Sequence, residues 1–224
     1  MSSTPGTIPG PLANAARAME GFDHPWAFCG GWSVDAWLGR VTRDHLDVDI
    51  TLFVDDAPEL FAHLRDWHFV AHDELEPKAT DPWNGRQLVL PAHIHARPPG
   101  ERNLELLRAW TTPPHENARD GSDFDFELNP RAGDECVFEI EPRLALPIAE
   151  AFRETPWGIP ALAPEVVAYF KATAYHERKD LKPRPHDIID FEAILEVIGP
   201  PGRQWLSQAI AAKYPDHAWL AQFA

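Results

Sequence analysis

Residues 28–54 read FCGGWSVDAWLGRVTRDHLDVDITLFV, and the spacing of their glycines and aspartates points to phosphate and metal chemistry. Gly30 and Gly31 stand just before a helical pattern. Fifteen residues separate Gly31 from Asp47, and Asp49 follows inside an apolar run. On a strand, alternate side chains share a face, so the two carboxylates would point the same way with Cα atoms about 7 Å apart. Such a pair can converge on divalent ions, which lie roughly 3.5–4 Å apart in two-metal sites. Magnesium takes oxygen donors from a few carboxylates and from substrate phosphates. Without a cation, two anions beside a core strand repel each other and resist losing water. The plain alternative is that they meet water at a strand edge or pair with Arg40 or Arg43. The glycines shift the balance. A Gly-Gly turn at a helix start lets the backbone approach a phosphate, with N–H groups and the positive helix end aimed at it. Ser33 adds a hydroxyl donor. Gly30, Gly31 and Ser33 are therefore candidate phosphate-binding residues, and Asp47 and Asp49 candidate metal ligands.

The elements that must hold these groups can be read from pattern. WAFCGG is a short strand running into a glycine turn. Val34, Trp37 and Leu38 fall at i, i+3 and i+4, an apolar helix face, with Gly39 suited to the C-cap. VDITLFV is β-branched and apolar apart from Asp49 and Thr51, hence a strand. Leu60, Phe61 and Leu64 predict a helix, and HFVAHD and RQLVLPAHIHA predict strands. FDFELN and ECVFEIE read as two strands joined by the turn PRAGD. Residues 1–13 read as a loose tail, followed by a helix in ANAARAMEGF. Residues 97–122 are Pro-interrupted and read as an insertion. From about residue 146 the pattern turns helical, with one helix opening at Pro164 and a second carrying Ile188, Phe191, Ile194, Leu195 and Ile198. These observations predict an α/β domain over 1–145, the part that would carry any catalytic site, and a helical domain over 146–224.

Composition narrows the function classes. The chain of 224 residues is 44% hydrophobic, enough for a sizeable core. Its formal charge is −15, which argues against nucleic acid, since phosphate contacts need clustered Lys and Arg; it suits a cationic ligand, but on charge alone an acidic surface that only keeps the protein soluble is the preferred reading. No apolar run approaches the roughly 18 residues of a membrane span. The N-terminal stretch lacks the features of a signal peptide. Two cysteines, Cys29 and Cys136, cannot form a disulfide framework. A soluble cytoplasmic protein with reduced thiols is the expectation.

The block GGWSVDAWLGRVTRDHLDVDITL resembles the signature of nucleotidyltransferases of the DNA-polymerase-β superfamily. Within that superfamily it is most similar to the aminoglycoside 2''-adenylyltransferase-like group, which shares GGW, a helix ending in LGR, then TR, His and D-x-D. The longer gap between glycines and first aspartate is that of the aminoglycoside-modifying branch. GIPALAPEVVAYFKA and RPHDIIDFEAIL resemble the helical tail of the same enzymes. The resemblance implies an α+β fold: a nucleotidyltransferase-type mixed sheet with flanking helices plus a C-terminal helical domain. It implies a third carboxylate on a neighbouring strand, acting as metal ligand or general base. Asp123, Asp125 and Glu127 alternate onto one face of SDFDFELN, and Asp125 is the choice because Phe124 and Phe126 flank it; Glu127 is the rival. It implies further that Lys171 reaches the nucleotide phosphates, an exposed helix cation being the alternative.

The expected activity is Mg²⁺-dependent transfer of a nucleoside monophosphate, AMP by preference, from ATP or another NTP to a hydroxyl of a small acceptor such as an aminoglycoside. A toxin–antitoxin protein acting on tRNA or a partner protein, and a silent nucleotide-binding module, are the alternatives. Other residues carry weaker signals. His93 and His95 share a strand face, but no third metal ligand is evident nearby, and an ordinary strand pair is expected. His45 is a phosphate contact or a loop hydrogen bond. Trp32 packs under the turn, and Cys29 is a small buried hydrophobe. Asp187 and Asp190 are read as helix-start carboxylates with Arg184 or Lys179 as partners.

Overall fold

The computed structural model describes residues 7–100, 102–111, 123–138, 144–174 and 182–223. The first elements are α1 (Gly10–Ala18), β1 (Trp26–Phe28), α2 (Gly30–Leu38), β2 (Val48–Phe53), α3 (Ala57–His63) and β3 (His68–His72). There follow β4 (His93–Arg97), α4 (Asn103–Thr111), β5 (Phe124–Asn129), β6 (Arg131–Ala132), β7 (Glu135–Val137) and β8 (Ala145–Pro147). The chain continues through α5 (Ile148–Ala151), β9 (Phe152–Glu154), β10 (Pro160–Leu162), α6 (Pro164–Thr173), α7 (Pro185–Ile194) and α8 (Pro200–Lys213).

The architecture is α+β: a seven-stranded mixed sheet in the order β3-β4-β5-β2-β1-β10-β9, flanked by helices, with a separate three-stranded sheet β6-β7-β8. β2 runs parallel to β5 and β1 parallel to β10, while the other neighbours are antiparallel. Alternation sets the two faces. Val48, Ile50 and Leu52 of β2 and Phe124, Phe126 and Leu128 of β5 turn into one core with α1 and α3. Asp49, Thr51, Asp125 and Glu127 occupy the other face.

α2 lies between two cores. Trp32 and Ala36 join the sheet core, whereas Val34 packs with α6, α7 and α8 in a second one. The Trp37 indole N–H donates to the Leu162 carbonyl at 2.7 Å, tying α2 to β10. Gly39 ends α2 at φ 66°, the left-handed conformation expected of a glycine cap, and its N–H donates to Ala36.

Several expectations need correction. FDFELN and ECVFEIE do not form a hairpin: β5 pairs with β2 and β4, and β7 pairs with β6 and β8. The alternation in β5 matches burial in a central strand equally well. Of RQLVLPAHIHA only the end from His93 on is strand, as part of β4, since Pro91 cannot donate to a ladder. The helical texture expected from residue 146 is interrupted, because after the short α5 the strands β9 and β10 extend the large sheet before α6 opens at Pro164. Phe191, Ile194, Leu195 and Ile198 of the expected apolar stripe are buried in the second core, while Ile188 stays 36% exposed and Asp187 and Asp190 turn inward in its place. The expectations for residues 1–6, 112–122, 139–141 and 175–181, Lys179 included, lie outside the described residues. Among the described residues no helix is long and apolar enough to cross a membrane.

Candidate active site

A cleft of about 770 Å³ opens where the polar sheet face meets the N-terminus of α2 and the helices α6 and α7. Gly30, Gly31, Asp47, Asp49, Asp125, Glu127 and Lys171 all line it, so the structure gathers the candidates from four separate segments. Asp47 lies one residue before β2 begins, and Asp49 lies within it. The parallel register sets Asp49 beside Asp125 and Thr51 beside Glu127. Neighbouring strands are about 4.8 Å apart, so Asp125 is the carboxylate immediately next to Asp49, and Glu127 is one pleat further along. Val48 N–H donates to the Asp123 carbonyl at 2.9 Å, which locks that register at the mouth.

The glycine pair has a steric reason. Gly30 has φ +59°, and a Cβ there would fall on the Asp49 carboxylate. A Cβ at Gly31 would collide with the Arg43 guanidinium and the His45 ring. The turn therefore lets three polar side chains close onto the backbone at the helix start. Ser33 is different. It is fully buried, and its hydroxyl donates to the Gly30 carbonyl at 2.7 Å, so it braces the turn and does not line the cleft.

The loop between α2 and β2 is held from below by Asp35, a residue the sequence reading passed over. Its carboxylate, fully buried, accepts from Thr42 N–H at 3.0 Å, from the Thr42 hydroxyl at 2.5 Å, and pairs with His45 Nε2 at 2.7 Å. The His45 ring lies 4.2 Å from the Trp32 ring, and Trp32 is buried under the turn as expected. His45 thus makes the loop hydrogen bond. An aspartate in the middle of an otherwise apolar helix was the available signal, because a buried charge must have partners.

Across the cleft, α6 and α7 carry a paired-charge lattice. Arg43 grips Asp190 with two parallel hydrogen bonds, Nε at 2.9 Å and Nη2 at 2.8 Å. Lys171 Nζ lies 2.8 Å from Asp190 and 3.5 Å from Asp187. Arg184 donates to Asp187 through Nε at 2.7 Å and Nη2 at 2.9 Å. Burial opposes ionisation of Asp187 and Asp190, yet these cations hold both below the usual carboxylate range. Lys171 is therefore neither exposed nor merely a surface cation: it is 8% exposed and charge-paired at the cleft wall. Asp187 does pair with Arg184, but neither aspartate caps α7 through its side chain; both face inward. Cys29 is buried, and burial, reinforced by Asp49, Glu127 and Asp125, pushes its thiol well up, so it stays protonated.

The donor set suits a hard cation. Asp47, Asp49 and Asp125 offer only oxygen, and the missing Cβ of Gly30 gives the Asp49 carboxylate its place against the turn. These residues fit Mg²⁺.

Comparison with known proteins bears on the family likeness and the fold. Residues 12–84 match the family described as aminoglycoside-2''-adenylyltransferase. The solution structure of the antibiotic-resistance factor ANT(2'')-Ia has a TM-score of 0.57 at 16% identity, covering 92% of this chain and 91% of that one. The crystal structure of ANT(2'')-Ia with adenylyl-2''-tobramycin gives 0.57 at 16%, covering 91% and 96%. The lincomycin-bound lincosamide antibiotic adenylyltransferase LnuA gives 0.51 at 14%, covering 86% and 99%. No curated protein matches the chain. The likeness to the aminoglycoside adenylyltransferase-like group drawn from GGW and D-x-D holds, and the fold is the nucleotidyltransferase fold of these neighbours.

Proposed function

We propose that the chain is a nucleotidyltransferase that moves AMP from ATP to a hydroxyl of a small cationic antibiotic of the aminoglycoside kind. The observation that carries this reading is the parallel register of Asp49 with Asp125 over the Gly30 turn. It supports a three-carboxylate centre directly beside a backbone cradle.

Asp47, Asp49 and Asp125 would hold Mg²⁺, which when bound neutralises charge on the α-phosphate and on the departing pyrophosphate. The N–H groups of Gly30 and Gly31, at the positive end of α2, bind the triphosphate. Ser33 keeps that turn in shape. Lys171, held on Asp190 at the cleft wall, would reach the phosphates from there. The acceptor oxygen bonds to the α-phosphorus, the bond to pyrophosphate breaks, and the hydroxyl proton passes to a carboxylate, Asp125 being the candidate. Asp44 and Glu127 are exposed at the cleft and meet the ammonium groups of the acceptor. In the proposed division at 145/146 the carboxylates belong to the catalytic domain and Lys171 to the helical one.

Pyrophosphate release with Mg²⁺, ATP and a panel including tobramycin and lincomycin tests the proposal. Asp49→Asn and Asp125→Asn should each lower turnover by about 10²-fold or more, the scale of losing a group that stabilises developing charge. Glu127→Gln should keep turnover and weaken acceptor binding. Unchanged turnover in Asp49→Asn would refute the assignment, and silence in Glu127→Gln alone would move the third role to Glu127.

A further inference from the structure

Beyond the cleft, the outer strands β3 and β4 bring together three histidines that nucleotidyl transfer does not use. Antiparallel register sets His72 opposite His93, and His95 follows on the same face. The rings of His72 and His93 stack at 4.9 Å and 7°, and His95 stands edge-on to both, with centroids 5.2 Å and 4.8 Å away. Each ring offers one nitrogen, and these nitrogens lie within 4.8 Å of one another.

Two details separate the cluster from a packed polar patch. His72 is 9% exposed, and its Nδ1 lies 3.3 Å from the Pro77 carbonyl. A carbonyl only accepts, so Nδ1 carries a proton, and in the neutral ring Nε2 keeps the lone pair. That Nε2 is buried and meets no hydrogen-bond partner among the described residues. His95 Nδ1, for its part, lies 3.3 Å from Asp125 Oδ1. Metal-bound histidines typically present one nitrogen to the ion and the other to a carbonyl or carboxylate, which fixes tautomer and ring direction. His72 has such a partner already in place, and His95 Nδ1 stands within ion-pair reach of an Asp125 oxygen.

We propose that His72, His93 and His95 bind one divalent transition-metal ion of the zinc class, with Asp125 as the carboxylate behind His95. Three imidazoles favour Zn²⁺, Co²⁺, Ni²⁺ or Cu²⁺ over magnesium, so this site is chemically distinct from the oxygen-donor set of the cleft. Zn–N bonds of about 2.0–2.1 Å require the nitrogens to draw together, which the half-buried His93 and His95 achieve by small side-chain rotations. Three protein ligands leave a fourth position for water. The ion would stitch β3 to β4 and, through His95, steady Asp125 one strand away.

The test is a Co²⁺ titration of the intact chain in excess Mg²⁺, read by visible ligand-field absorption. The expected result is saturation at one Co²⁺ per chain, displaced by Zn²⁺ and retained in Asp49→Asn. His72→Ala and His93→Ala should each remove the saturating phase while far-UV circular dichroism stays unchanged. Asp125→Asn should weaken binding by about 10–100-fold, the usual effect of losing a carboxylate behind a ligand histidine. Should the histidine variants unfold, Zn²⁺ added to the unaltered chain should shift the imidazole NMR signals of three histidines. Absence of saturable binding, binding unchanged by His72→Ala in a folded variant, loss in Asp49→Asn, or unshifted imidazole signals would each overturn the proposal.

Discussion

Two glycines with nearly the same backbone angle allow strain to be separated from steric displacement. Gly30 has φ +59° and Gly39 has φ +66°. Alanine in the left-handed region costs about 1–2 kcal/mol at either position. The surroundings differ. At Gly39 the new Cβ meets only Pro156 at 3.6 Å, an ordinary contact. At Gly30 it falls on the Asp49 carboxylate and lies 2.8 Å from the Asp49 Cβ, so rotating the side chain cannot relieve it. Either β2 or α2 must shift, and overpacking of this kind adds about 1–3 kcal/mol. Gly39→Ala should therefore lose about 1–2 kcal/mol, and Gly30→Ala about 2–5 kcal/mol. For a chain of this size each kcal/mol moves the melting temperature by about 2–4 °C, so the two variants should be resolved by thermal unfolding. Pyrophosphate release supplies the second readout. Gly39→Ala should keep turnover, and Gly30→Ala should lose it, because the carboxylate beside Asp125 no longer has its place. Equal stability of the two variants, or a Gly30→Ala protein that turns over normally, would refute the steric account of the glycine pair.

The charge lattice on α7 gives a pH signature. Asp187 and Asp190 are held below the ordinary carboxylate value of 3.8, so their stabilisation is complete above that value and is lost as pH falls through the depressed folded-state values. Asp190→Asn leaves Arg43 and Lys171 short of a buried partner and should cost about 3 kcal/mol at neutral pH in urea unfolding. The deficit relative to the unaltered chain should shrink as pH drops below 4, and a pH-independent deficit would contradict the pairing. Cys29, whose thiol is raised by burial and then by the acidic cluster, should resist iodoacetamide at pH 8 in the folded chain and react once urea unfolds it. Rapid alkylation of the folded chain would show that the base of the glycine turn is open.

The residues of the cleft were legible where their chemistry is local. Gly30, Gly31, Asp47 and Asp49 sit within one short stretch, and backbone conformation, helix start and strand alternation follow from near neighbours. Asp125 was readable as one of three acidic residues on a strand, and only the register with β2 places it beside Asp49 in preference to Glu127. Ser33 was misjudged because a hydroxyl three residues into a helix start points to phosphate and to its own backbone equally well, and burial decides between them. Asp187 and Asp190 look like helix-end carboxylates until Arg43, about 145 residues earlier in sequence and joined through a pair of hydrogen bonds, is folded against them. His72 could not be linked to His93 and His95 without knowing that β3 and β4 are antiparallel partners. β9 and β10, at three residues each, are too short for any periodicity to reveal.

The position of α2 has a mechanical consequence. One face of this nine-residue helix is wedged under the sheet through Trp32 and Ala36, and the other is gripped by the C-terminal bundle through Val34. A chain severed between β10 and α6 would expose raw apolar surface on both fragments, so each would fold only in the presence of the other. A triphosphate seated at the tip of that wedge would tighten both halves together, and the molecule would melt as one body, with a single transition that nucleotide moves as a whole.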